Sequence, residues 1–136
     1  MEPEYDYFEP RALTSREKDA VLARLKTKMF EERGHVIWNG AMSNGYPRTR
    51  LVGKHMKDLF GRKTFIVTAI VLSIKLNQPL LTPKWGVSHL CHRNKCCLKE
   101  HLVYEPIALN EERKNCNKFK RCLSPARVPH DPPCIF

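Results

Sequence analysis

The cysteines constrain this chain most, because all six lie between residues 91 and 134 and are interleaved with three histidines, His92, His101 and His130. Clustered cysteine and histidine side chains at short spacings favour zinc. A disulfide framework is the alternative, but it requires an oxidising compartment and usually a secreted chain. The segment from Met1 to Asp6 is acidic and lacks the basic and apolar regions of a signal peptide. The sequence therefore predicts a reduced, metal-bound protein that is not secreted.

Size and charge narrow the choice of partner. The 136 residues make one small domain, in which structural zinc would contribute directly to folding. With 24 Lys and Arg against 14 Asp and Glu, the formal net charge is +10, and a surplus of that size attracts polyanions. Nucleic acid is the leading partner, and an ordinary solvated basic surface is the alternative. No membrane span is expected, because the longest apolar run, Phe65 to Leu72, is interrupted by Thr68 and is far too short.

The N-terminal third is predicted to contain an arm and a helix. Residues 1–13 carry prolines, acids and aromatics, which indicates an arm that either frays or packs its Tyr5, Tyr7 and Phe8 on the domain. Thr14 or Ser15 can cap a helix that runs from about Ser15 to Gly34, since apolar residues recur at helical spacing within it.

An antiparallel ribbon should follow this helix. Residues 35–40 and 48–52 are typical of strands, and the turn residues at 43–46 lie between them. Strand alternation places Arg48 and Arg50 on one face. Such a ribbon fits a DNA major groove, and an exposed hairpin with solvated arginines is the equally open alternative.

The middle and the end of the chain differ in regularity. Thr64 to Leu76 is rich in apolar residues, and although its β-branched content also permits a strand, its length favours a buried helix. The chain then runs irregularly through residues 84–86. From Arg121 onward, repeated prolines exclude regular structure, so this tail must be held by something else, and metal is available.

A specific pattern of residues occupies the second half. It runs Val87-Ser88-His89-Leu90-Cys91-His92, then Cys96, His101-Leu102, Asn110, Arg113, Asn115 and Cys116. This pattern resembles the zinc-bound His-Me finger endonucleases, also called ββα-metal or HNH-like nucleases, and among them the intron-encoded homing endonucleases of slime moulds. The resemblance covers most of the chain and is weakest between residues 53 and 84.

The resemblance implies a small zinc-stabilised α+β fold of the ββα-metal type, with an antiparallel β-ribbon, flanking helices and irregular zinc-bound C-terminal loops. It implies a single domain over residues 14–136, with a catalytic core at about 86–116 and a second zinc loop at 116–134.

Two catalytic roles carry over from the family. His89 matches the general base that takes a proton from the attacking water, although it could instead be a zinc ligand. Asn110 matches the single protein ligand of a hydrated Mg²⁺, although an asparagine alone could equally be a capping or surface residue. The resemblance places a helix at about 107–114 that brings Asn110 under His89.

The resemblance also divides the zinc ligands into two sites. The first comprises Cys91, Cys96 and His101, with His35 as the fourth ligand in place of the family's upstream cysteine, while Cys97 or His92 could serve instead. The second comprises Cys116, Cys122, His130 and Cys134.

The family's phosphate-contacting arginine has two candidates, Arg50 and Arg62. Together these features imply a Mg²⁺-dependent DNA endonuclease with two structural zinc ions. Its expected substrate is double-stranded DNA, and its expected location is the nucleus or cytoplasm. A catalytically silent, zinc-stabilised DNA-binding module is the alternative. The family's dimerising tail has no counterpart here. Whether the protein is a monomer or a homodimer is therefore left open, and so is whether it nicks DNA or cuts both strands.

Overall fold

Four helices and seven short strands follow one another in a computed structural model, which describes residues 8–51, 56–80 and 85–136. The helices are α1 (Ser15–Lys26), α2 (Met56–Phe60), α3 (Val67–Leu76) and α4 (Ile107–Phe119). The strands are β1 (Met29–Glu32), β2 (His35–Trp38), β3 (Met42–Ser43), β4 (Tyr46–Arg50), β5 (Thr64–Ile66), β6 (Trp85–His89) and β7 (Leu102–Pro106). All strand pairs among these residues are antiparallel, in the orders β1-β2, β3-β4-β5 and β6-β7. The predicted α+β class is confirmed.

Helix α1 begins as predicted but ends earlier. Thr14 accepts a hydrogen bond from the backbone N–H of Glu17 at 3.1 Å, and the Glu17 carboxylate accepts one from the N–H of Thr14 at 2.8 Å, which completes a capping box. The prediction that the helix continues to Gly34 is wrong. Arg33 and Gly34 adopt φ angles of 49° and 81°, and this tight turn folds β1 back on β2.

An antiparallel ribbon forms at the predicted turn, but its first strand is β3, because the predicted strand at 35–40 is present as β2 and pairs with β1 instead. Asn44 and Gly45, with φ angles of 51° and 82°, form the turn between β3 and β4. Strand β4 starts at Tyr46, earlier than predicted, and Val52 lies outside the described residues. Arg48 and Arg50 are exposed while Thr49 between them is half-buried, as the predicted alternation requires.

Two predictions about the middle of the chain need correction. Residues 64–66 are not the start of the helix: Thr64 pairs with Arg50 and Ile66 with Arg48, so these β-branched residues extend the sheet as β5 before α3 begins. Trp85 and Gly86 are not irregular, because they open β6. Lys84 lies outside the described residues, and no helix or strand follows Phe119 in the described tail.

The core is built around α3. Phe8, Phe60 and Phe65 form an aromatic triangle with ring centroids 5.7–5.8 Å apart, against which the buried face of α3 packs. The N-terminal arm therefore packs on the domain through Phe8, whereas Tyr5 and Tyr7 lie outside the described residues.

Candidate active site and metal centres

Strands β6 and β7 and helix α4 form one ββα unit. The two strands pair along their whole length, from Trp85 opposite Pro106 to His89 opposite Leu102. Helix α4 follows β7 without a loop, since Ile107 succeeds Pro106, and it packs on both strands. This packing brings the end of β6 close to the first turns of α4.

A cavity of about 280 Å³, here called the central cavity, lies between this unit and the β3–β4 turn. His89 from β6 and Asn110 from α4 both line it. The structure therefore brings together the two residues that the resemblance selected for catalysis. Their roles remain predictions.

The His89 imidazole is held in a poorly solvated position. Its Nε2 is buried and has no hydrogen-bond partner among the described residues. Burial is the largest influence and lowers the pKa of His89, while the nearby Cys96 acts in the opposite direction. The side chain lies outside the four-residue cluster around Cys91 described below, so the ring is available to the cavity.

One face of α4 lines the central cavity. Arg113, Lys114 and Asn117 follow Asn110 at spacings of three, four and seven residues and line the same space. Lys114 and Asn117 were not among the residues predicted from the sequence. Their helical spacing from Asn110 was the signal that could have identified them.

The tip of the β3–β4 hairpin closes another side of the cavity. Asn44, Gly45 and Tyr46 line it, and the Asn94 side-chain amide donates a hydrogen bond to the Gly45 carbonyl at 3.1 Å. The loop that carries Cys91 and Cys96 is thereby tied to the ribbon.

Arg113 connects three parts of the site. Its Nε and Nη2 donate to the two carboxylate oxygens of Glu105 at 2.6 and 2.9 Å, and its Nη1 donates to the Cys134 sulfur at 3.4 Å. Burial acts to lower the pKa of Arg113, but the hydrogen bonds to Glu105 and Cys134 raise it overall. The guanidinium thus joins α4, β7 and the C-terminal loop in one buried contact.

The first metal cluster comprises His35, Cys91, Cys96 and His101. One ligand atom from each lies within 4.8 Å of the others. Backbone hydrogen bonds from Trp38 to Lys95 (2.8 Å) and from Cys97 to Val36 (2.7 Å) dock β2 on the cysteine loop, which explains how so distant a histidine arrives there. Cys97 is buried outside the cluster, and His92 also lies outside it.

The second cluster comprises Cys116, Cys122, His130 and Cys134, again with ligand atoms within 4.8 Å of one another. Backbone N–H groups of His130 and Cys134 donate to the Cys122 sulfur at 3.3 and 3.2 Å. Although burial raises the pKa of the Cys122 thiol, these backbone hydrogen bonds lower it to about 6. The proline-rich tail is arranged around this cluster.

Both clusters fit zinc in their chemistry and their spacing. At the usual Zn–S and Zn–N lengths, the sulfur and nitrogen ligands of a tetrahedral ion lie about 3.5 Å apart. The corresponding separations are 3.6 Å for Cys96 Sγ and His101 Nδ1, and 3.5 Å for His130 Nδ1 with both Cys116 Sγ and Cys122 Sγ. Each cluster can therefore hold a zinc ion.

Glu112 supports the second cluster and was missed by the sequence analysis. Its Oε1 lies 3.2 Å from Nε2 of His130, the ring nitrogen that faces away from the sulfur atoms. A carboxylate in this position accepts a hydrogen bond from Nε2–H, which keeps the proton on Nε2 and leaves Nδ1 free to bind metal. Glutamates are common on solvated helix faces, so the sequence alone gave no signal.

Arg50 and Arg62 lie away from the central cavity. Arg50 is exposed on β4, where its Nε donates to the Thr64 hydroxyl at 3.4 Å, and Arg62 is exposed after α2. Neither lines the cavity that His89 and Asn110 share. The structure thus does not bring these two candidates to the other predicted catalytic residues.

Comparison with known proteins identifies the family. No curated protein and no solved structure matches the chain. No helix in the described part of the chain combines the length and the apolar character that crossing a membrane requires. Residues 37–136 match the family described as the zinc-binding loop region of homing endonuclease, and this range includes His89, Asn110 and every candidate zinc ligand except His35. Because the match covers most of its length, the chain belongs to this homing-endonuclease zinc-loop family.

Proposed function

We propose that this protein is a Mg²⁺-dependent DNA endonuclease that hydrolyses phosphodiester bonds, with two structural zinc ions. The observation that carries the proposal is the cavity that His89 and Asn110 share on a ββα unit. The homing-endonuclease family and the formal charge of +10 support DNA as the substrate. Double-stranded DNA is the proposed form.

His89 acts as the general base in this proposal. The His89 side chain lines the central cavity, where a neutral imidazole is suited to take a proton from a water molecule. The oxygen of that water bonds to phosphorus while the bond from phosphorus to the 3′ oxygen breaks. The products are a 5′ phosphate and, once the leaving oxygen has gained a proton, a 3′ hydroxyl.

Asn110 holds the divalent cation. Its neutral side-chain oxygen is the hard donor that Mg²⁺ accepts, and because this ion keeps several of its waters, one protein ligand and a cavity of about 280 Å³ suit it. When bound, the ion would supply positive charge beside the scissile phosphate and the leaving oxygen.

Lys114 is an exposed cation that lines the central cavity. It lies one helical turn after Asn110, lines the same space, and holds its Nζ 2.7 Å from Glu111. We propose that it positions the phosphate locally, whereas Arg50 and Arg62 contact the DNA backbone at a distance from the reacting bond.

The test is cleavage of supercoiled plasmid by zinc-loaded protein, with and without Mg²⁺. His89→Ala should lower the cleavage rate by about 10²- to 10⁴-fold, and Asn110→Ala should do so while raising the Mg²⁺ requirement. Asn115→Ala is the matched control, because Asn115 is exposed on α4 and does not line the cavity. Each variant must retain two zinc ions.

The products and the variants separate the alternatives. Nicked product alone indicates one cut per encounter, and linear product indicates paired cuts. If intact protein binds the plasmid but Mg²⁺ gives no product, the endonuclease proposal fails and a silent DNA-binding module replaces it. If His89→Ala cuts as fast as the unmodified protein, the base is another residue.

A further inference from the structure

A second cavity of about 490 Å³, here called the side cavity, adjoins the central cavity. The two share Tyr46 from the hairpin and Asn110 and Lys114 from α4 as lining residues. A ligand in the side cavity would therefore lie next to the proposed Mg²⁺ ligand. The volume falls within the range of roughly 300–1,000 Å³ that is usual for small-molecule sites.

Aromatic side chains give the side cavity its character. Trp85, Tyr46 and Tyr104 line it, and the Trp85 ring packs against that of Tyr104 with centroids 5.4 Å apart. Trp85 is 43% exposed and Tyr46 is 40% exposed, although both sit in structured strands. Large aromatic rings that are exposed to solvent beside the central cavity can stack on the face of a planar ligand ring.

Polar donors also line the side cavity. The Thr68 hydroxyl is buried, with the residue 1% exposed, and has no hydrogen-bond partner among the described residues. Thr68 and Ala69 belong to the first turn of α3, whose N-cap residue, Ile66, provides no side-chain acceptor. First-turn N–H groups have no acceptor within a helix, so they favour a ligand that carries oxygen acceptors.

We propose that the side cavity binds one unstacked nucleobase of the DNA, next to the phosphate that is cut. This inference rests on the proposed endonuclease function and adds a binding site to it. A nucleobase is planar, carries carbonyl acceptors and is attached to phosphates, which matches the aromatic walls, the α3 donors and Lys114. Thymine, with two carbonyl oxygens, fits these donors, and DNA in which a base is already unpaired is the preferred substrate.

The test compares three short duplexes that differ at one position: fully paired, with a single bulged thymidine, and with a bulged abasic residue. The two bulged duplexes carry the same number of phosphates, so only the base distinguishes them. Binding is measured with the zinc-loaded His89→Ala protein without Mg²⁺, so that no cleavage occurs. The thymidine bulge should bind about 5- to 150-fold more tightly than the abasic bulge.

Variants of the aromatic walls connect this preference to the side cavity. Trp85→Ala should remove the difference between the two bulged duplexes, Trp85→Phe should keep most of it, and Tyr46→Ala should reduce it independently. Phe30→Ala is the control, because Phe30 is 47% exposed on β1 and lines neither cavity. All variants should retain two zinc ions and a native circular dichroism spectrum.

The outcomes distinguish this inference from the proposed function. Equal binding of the two bulged duplexes by a protein that cuts plasmid overturns the nucleobase site and leaves the endonuclease in place. A preference for the thymidine bulge that survives both Trp85→Ala and Tyr46→Ala also overturns it. If the unmodified protein does not cut plasmid but the preference for the thymidine bulge is present, the endonuclease proposal is overturned and a base-binding protein is left.

Discussion

Replacing Arg113 with methionine should cost this protein a large part of its stability. Arg113 is 2% exposed and Glu105 is 4% exposed, and two hydrogen bonds of 2.6 and 2.9 Å join their charged groups. Methionine fills similar space without charge, so the substitution leaves a buried carboxylate whose partner is gone. Water cannot reach Glu105 freely to compensate.

The magnitude follows from the burial of the pair. Removing one partner of a buried ion pair costs about 3–5 kcal/mol of unfolding free energy, because the other charge stays desolvated. For a domain of this size, that corresponds to a fall of roughly 10–20 °C in Tm. The neighbouring pair of Lys114 and Glu111 has side chains 66% and 60% exposed, so Lys114→Met should cost far less unfolding free energy.

Urea unfolding, followed by circular dichroism at a fixed free zinc concentration, measures these differences. A double-mutant cycle with Glu105→Gln should show a coupling energy of about 2 kcal/mol or more. The double variant should lose less unfolding free energy than the two single variants lose in total. Equal losses from Arg113→Met and Lys114→Met would show that the buried pair contributes no more to stability than the exposed pair. Strict additivity in the cycle would contradict the expected coupling.

Three further predictions concern the metal clusters. Glu112→Gln should weaken zinc binding at the second cluster about 10- to 100-fold in a chelator competition, because the carboxylate that orients His130 is lost, whereas Glu111→Gln on the exposed face should have no effect. His35→Ala should lower the zinc content measured by elemental analysis from two ions per chain to one, and Cys97→Ala should retain two; the reverse result would exchange their roles. Removing zinc with a chelator should abolish the native circular dichroism spectrum, and an unchanged spectrum would show that the clusters do not stabilise the fold.

The sequence predicts the cluster residues well because their chemistry is rare. Cysteine and histidine at 91, 96, 101, 116, 122, 130 and 134 have few alternative uses in a short chain, and the structure gathers them as two groups. His35 required the family resemblance, because nothing local distinguishes a histidine at the start of a strand.

Other features depend on tertiary contacts that local patterns do not encode. Met29 continues the apolar spacing of α1, yet pairing with β2 makes residues 29–32 a strand. Thr64 to Ile66 lie beside a helical pattern, yet they complete a sheet with β4. Glu105 and Arg113 are charged residues of the kind that usually face solvent, and only the ββα packing shows that they are buried together.

The two clusters differ in how much chain each would tie together. His35 and Cys91 lie 56 positions apart, and the intervening chain contains the rest of β2 together with β3, β4, α2, β5, α3 and β6. The second cluster lies wholly within residues 116–134. Closing the longer loop costs about 1 kcal/mol more in chain entropy. A zinc ion at the second cluster can therefore gather its ligands from local chain alone, whereas a zinc ion at the first cluster gains His35 only once β2 has docked on the cysteine loop.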